Sequence, residues 1–304
     1  MNSNSATLFA FFEFSRTVAS TYSAGVVLFA IGLLAAKRDV AEARGLDKIV
    51  ALGNLCFAAP LGVFAAEHFS AAKGISQLVP KFMPWPLFWT YFVGVALLAA
   101  SLSIATRIQV HWSGLGIGIM MFIFVSTMDI PGTLANLHNR IIWALLAREL
   151  SFGCGGLVLA AGVSDGWSPS FRSALYTFGR VVIGVAAVFY GVEHFLHPTN
   201  VPGVPLEKFM PDWIPARMLI SYITGVFLVV GGGFILLGQK VRMAATYLGS
   251  WIFLVVFTVY AAILIASMFD PSTDVKVEGV NYFFDTLLYA GTILAVAQTA
   301  PHAD

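Results

Sequence analysis

The sequence predicts an all-α integral membrane protein of about nine transmembrane helices, a leader helix followed by two four-helix bundles arranged as parallel repeats. Three observations carry this reading. Hydrophobic residues make up 58% of the 304 residues and charged residues only 11%, where a soluble domain carries about 25% charged residues. Nine stretches are apolar over the roughly 20 residues that a helix needs to cross hydrocarbon. Three motifs recur in the same order at almost constant offset.

The apolar stretches lie near 14–36, 48–68, 86–106, 111–130, 143–162, 173–194, 216–237, 243–267 and 282–300. Helices are expected because lipid offers no partner to unpaired backbone groups, and the alternating pattern of a membrane barrel is missing. The first stretch has Ser15 and Arg16 near its start and ends at Lys37-Arg38. It is long for a signal-peptide core and no small-residue cleavage site follows, so residues 1–46 read as a retained leader helix and its loop. Its expected place is outside the bundle or against a partner. Pro60 in the second stretch should kink that helix and free a carbonyl. Gly231-Gly232-Gly233 in the seventh should allow close helix contact. Trp85, Trp89, Trp112, Trp143, Trp167 and Trp213 fall at span ends, as an interfacial aromatic belt requires.

The recurring motifs are Glu67-His68-Phe69 with Glu193-His194-Phe195, Lys81-Phe82-Met83-Pro84 with Lys208-Phe209-Met210-Pro211, and Tyr91-x-x-Gly94 with Tyr222-x-x-Gly225. Their offsets are 126, 127 and 131 residues, too long for a solenoid turn and right for a whole folding unit. Residues 47–165 and 173–301 are the expected repeats, joined by the Gly- and Pro-punctuated segment 163–172. Each holds four helices, an even number, so both enter the membrane in the same direction and the pseudo-two-fold runs along the membrane normal. The loops on one side carry Lys37, Arg38, Arg44, Lys48, Arg107, Arg172, Lys240 and Arg242. By the positive-inside rule that side is cytoplasmic, which puts the N-terminus outside and the C-terminus inside, in a bacterial-type inner membrane.

Several functions are disfavoured by the residues. A net charge of +1 with no basic run argues against nucleic acid. Cys56 and Cys154 stand singly in apolar spans, which argues against a dithiol relay. A metal would have His194 and His197 with Glu193 nearby, and only His138 and Asp129 as further ligands, and His68 and His194 lie too near the interface for paired haem ligation.

Glu-His-Phe at a helix end, a Pro-containing crossing with Met-Pro, and Tyr-x-x-Gly opening a long apolar helix resemble the DoxX-like family of four-helix membrane proteins. The run Ile130-Pro131, Leu137-His138-Asn139-Arg140, Trp143, Arg148-Glu149-Leu150 and Gly155-Gly156 resembles that family's last two helices. The likeness departs from the single-unit family by duplication and by the leader. It departs again where Asp270-Pro271 and Asp285 stand near the places of Asp129-Ile130-Pro131 and Glu149, with no counterpart of Arg148. The resemblance implies an accessory subunit of a quinone-linked oxidoreductase, with a redox partner subunit in the bilayer and a quinone or lipid as its ligand. No other cofactor is evident.

The candidate ligand-binding residues are Glu67, His68, Asp129, Arg148, Glu149, Glu193, His194 and Asp285. All are expected in the outer third of the bundle, where ionisable groups are costly unless paired or facing a polar cavity. An imidazole beside a carboxylate can hydrogen-bond a quinone carbonyl and exchange its proton. The same residues would also serve as interfacial anchors and a structural polar network. A non-catalytic scaffold or a small-solute permease is therefore the alternative, although a permease should place its polar groups near the midplane.

Overall fold

The computed structural model describes residues 15–301. Among these, nine helices are long and apolar enough to span a membrane: α1 (Arg16–Glu42), α2 (Asp47–Ser70), α3 (Pro86–Thr106), α4 (Val110–Ala135), α5 (Arg140–Val163), α6 (Pro169–Leu196), α7 (Arg217–Leu237), α8 (Val241–Met268) and α9 (Thr273–Thr299). Most ends agree with the apolar pattern. Helix α9 starts at Thr273 rather than near 282, because its first turns carry Asp274, Lys276 and Glu278 and so do not register as apolar. The described residues contain no strand beyond one isolated bridge, Asn200 with Phe209.

Helices α2 to α5 pack in chain order, as do α6 to α9. Helix α5 then packs on α6 and α9 on α2, which closes an eight-helix ring, with α5 and α9 touching across it. The most apolar window of α9 is 89% buried, against 28–33% for α1, α3, α4, α7 and α8. Helix α9 is therefore the core of the molecule, and those five are its lipid-facing wall. The leader α1 lies along α2 and also reaches α3 and α9. Its Phe29 meets Phe257 edge-on, with ring centroids 6.1 Å apart.

Small residues set the helix spacing. A Cβ at Gly291 would lie 2.5 Å from the Phe57 amide nitrogen, so α9 can press on the α2 backbone only through glycine. Pro60 lies within the continuous helical stretch Gly53–Ser70 and is buried. Nearby, Ser101 Oγ donates to the Ala58 carbonyl at 2.7 Å. Of the triple glycine in α7, Gly232 faces Ala187 and Gly231 faces Leu248, while Gly233 meets nothing.

Local features recur at one offset. Non-helical φ values near +60° cap α3 at Trp85 and Arg107, and α7 at Ala216 and Gly238, each pair 131 residues apart. A single π turn interrupts α4 at Val125–Asp129 and α8 at Val256–Tyr260, again 131 apart. Such turns add a residue to the helix circumference and often shape functional sites.

Candidate functional site

The Glu-His end of α2 takes its geometry from α3. The rings of Phe69 and Tyr91 stack with centroids 6.4 Å apart. One turn on, a Cβ at Gly94 would lie 3.0 Å from the His68 Cβ, so glycine is what lets α3 close on the motif. Tyr-x-x-Gly is thus the packing complement of Glu-His-Phe. His68 Nδ1 lies 2.7 Å from the Phe64 carbonyl. A carbonyl only accepts, so Nδ1 carries the proton, and in the neutral ring Nε2 is left as an acceptor. That nitrogen makes no hydrogen bond to any described residue.

A polar network ties α2, α5 and α9 together beside this histidine. Glu67 Oε1 accepts from Asn281 Nδ2 at 3.2 Å. Arg148 donates from one terminal nitrogen to Asp285 Oδ2 at 2.7 Å and from the other to Glu149 Oε1 at 2.9 Å. The lack of a second arginine is explained by this geometry, because one guanidinium serves the acids of both α5 and α9. Asp129 lies on the π turn of α4, which packs against α5. Its Oδ2 and the Arg148 Nε are buried with no hydrogen-bond partner among the described residues. One guanidinium therefore pairs with two carboxyl groups. Such a surplus of acceptors in a low-dielectric setting is balanced only by protons or by donors from elsewhere.

Glu67, His68, Arg148, Glu149 and Asp285 line a single cavity of about 900 Å³. Its walls are apolar, with Phe64, Leu97, Met121, Phe124 and Phe152 prominent. It reaches the surface of the bundle between α3 and α4, where Phe92 and Ile123 line it while being 54% and 51% exposed. A short helix over Ala72–Ile75 and a 3-10 turn over Ser76–Leu78 form its lip. Glu207 and Tyr282 also line it, and the Tyr282 hydroxyl donates to Glu207 Oε2 at 2.6 Å. Asn281, Tyr282 and Glu207 escaped the sequence reading, since two stand at the polar start of α9 and the third in a loop.

Asp129 is not among the lining residues, and the last two candidates, Glu193 and His194, are placed elsewhere. Glu193 takes Arg140 at 3.3 Å and His197 at 3.7 Å. His194 repeats the geometry of His68, with Nδ1 2.6 Å from the Tyr190 carbonyl, Phe195 stacked on Tyr222, and Gly225 against its Cβ. Its Nε2, however, accepts from the Gly203 amide at 3.0 Å. Gly203 belongs to a folded-in segment held by Val201 N–H to Lys208 carbonyl and Met210 N–H to Thr199 carbonyl, both 2.8 Å. Val201, Val204, Leu206 and Met210 of this segment are buried. Among the described residues, no group of three or more His, Cys, Asp or Glu side chains is arranged to hold a metal ion.

Compared with known protein families, with curated proteins and with solved structures, the chain matches none.

Proposed function

We propose that this chain is a DoxX-like membrane protein that binds a lipid-soluble amphiphile, a quinone or a lipid, as an accessory component of a membrane redox system. The observation that carries the proposal is the cavity of about 900 Å³, mostly apolar in its lining and shared by the ionisable Glu67, His68, Arg148, Glu149 and Asp285. Ligand sites share this form, an apolar pocket of a few hundred Å³ or more with a few convergent polar groups. The lining by half-exposed Phe92 and Ile123 favours entry from the lipid, between α3 and α4. Intramembrane ionisable groups facing a cavity fit the same reading. A redox partner subunit would exchange electrons with the ligand. The orientation proposed is the Glu-His end outside and the basic loop 37–48 in the cytoplasm of a bacterial-type inner membrane.

The scaffold reading draws on one specific observation, that Arg148 is already held by two carboxylates. The experiment that separates the two is native-membrane purification with lipid extraction and mass spectrometry, on the wild type and on Glu149→Gln and His68→Ala. The ligand-binding reading expects a quinone or lipid retained by the wild type and lost from folded variants. Unchanged retention and unchanged partner activity in both would leave the scaffold.

A further inference from the structure

We infer that the cavity selects a ligand whose head donates hydrogen bonds, a hydroxyl-bearing amphiphile rather than a carbonyl-bearing one, and that His68 Nε2 accepts from that hydroxyl. The inference rests on the ligand-binding reading above and adds the chemistry of the head.

It is drawn from the second Glu-His end. There the chain supplies its own occupant, and the atom delivered to the imidazole is a donor, the Gly203 N–H at 3.0 Å from His194 Nε2. His68 is held in the same way as His194, with Nδ1 on the carbonyl four residues back, a glycine against the Cβ and a stacked Phe-Tyr pair at the next residue. Both rings therefore present the same nitrogen in the same role. In the first half His68 lines the cavity, and that nitrogen has no donor among the described residues. A ligand carbonyl placed there would set an acceptor against an acceptor, whereas a hydroxyl would complete the ring's hydrogen bonding.

The neighbouring groups have the same bias. Glu67, Glu149 and Asp285 line the cavity and accept from Asn281 and Arg148, whose terminal nitrogens are both engaged, leaving only its buried Nε without a partner among the described residues. An acceptor-rich end rejects a head without donors, because its polar groups would stay unpaired on desolvation. Two sources present such a head on an apolar body, the reduced form of a quinone and the free hydroxyls of a glycerolipid.

The test is binding of three probes to the full chain in detergent or nanodiscs under anaerobic conditions. The probes are a short-tailed hydroquinone, its oxidised quinone, and a monoacylglycerol. The quinone pair differs only in O–H against C=O at the head. The inference expects a hydroxyl probe to bind at least about tenfold more tightly than the oxidised quinone, the value of roughly one hydrogen bond. Preference among the two hydroxyl probes identifies the source. His68→Leu should weaken the hydroxyl probes and remove that preference, and His68→Gln, which keeps an acceptor, should restore part of it. Because the wild-type preference is read without any variant, poor folding of His68→Leu leaves the test intact. Equal or tighter binding of the oxidised quinone overturns the inference while the cavity's ligand role stands. No binding of any probe overturns both.

Discussion

The two Glu-His ends are built alike and finished differently. At Glu67-His68 the following chain, Ser70-Ala71-Ala72-Lys73-Gly74-Ile75, forms a short helix at the rim and leaves a cavity beneath it. At Glu193-His194 the following chain is His197-Pro198-Thr199-Asn200-Val201-Pro202-Gly203-Val204-Pro205. Three prolines deny it a helix, and it folds inward as a buried hairpin-like plug. A difference in loop chemistry turns one polar helix end into an open site and its relative into packed core. The plug also serves the open half, since its Pro205 and Glu207 line that cavity.

The ion pairs follow the same division, and breaking them gives the largest expected effect. Arg148 joins Glu149 and Asp285 in the interior, so Arg148→Met strands two carboxyl groups and should cost about 3–5 kcal/mol. Arg140 meets Glu193 at 3.3 Å from a more exposed position, with a second bond to the Leu206 carbonyl at 3.2 Å. Arg140→Met should cost about 1–3 kcal/mol. Unfolding in detergent, followed by SDS titration or heat, reads both. Adding Asp285→Asn should recover part of the Arg148→Met loss. Equal losses for the two arginines would mean that the halves are not as different as their geometry.

The second test removes the plug. Gly203 has φ +137°, and a Cβ there would sit 2.8 Å from both Thr286 and the Tyr260 hydroxyl. Gly203→Val should expel the segment at a backbone cost of about 1–3 kcal/mol. A cysteine at Val204, buried in the native fold, should then react with a thiol reagent. If it stays protected while the protein remains folded, the plug is held by more than the Gly203 turn. If it reacts and a second equivalent of ligand binds, the second half is a latent copy of the first.

Much of this was legible in the sequence. The apolar lengths marked the nine helices, since in lipid the length of an uncharged run is itself the structural requirement. The recurring Glu-His-Phe and Tyr-x-x-Gly pointed to the helix end that carries the cavity, because both partners of one packing contact lie within the motif. What was not legible depends on contacts between distant segments. The sharing of Arg148 by Glu149 and Asp285 arises from the approach of α5 and α9, 137 residues apart at Arg148 and Asp285. The π turn at Val125-Ser126-Thr127-Met128-Asp129 has no glycine or proline within it to announce it. The plug did leave a signal, Pro198, Pro202, Gly203 and Pro205 in one window with Val201, Val204 and Leu206. Such a window reads as a loop, and only burial shows that the loop fills space.

The smallest expected effect concerns what fastens the plug from outside. Lys208 Nζ lies 2.7 Å from Glu278 Oε1 at the start of α9, with the two side chains 51% and 41% exposed. The hydrogen bond that Lys208 donates to Glu278, helped by that carboxylate's charge, raises the Lys208 ammonium above its ordinary value. A raised folded-state value means that the pair's contribution is complete below the ordinary lysine range, near pH 10.4, and is lost only as pH climbs through the raised value. Stability should therefore show no dependence on this pair between pH 6 and 9. Exposed pairs of this kind contribute under about 1 kcal/mol and are screened by salt. Lys208→Ala should lower stability by no more than that, with the difference fading at 1 M salt, and the cysteine at Val204 should stay protected. The plug is held by buried Val201, Val204 and Leu206 and by the His194–Gly203 hydrogen bond, and the lysine only trims its edge. Exposure of Val204 in Lys208→Ala would reverse that order and make the surface pair the latch.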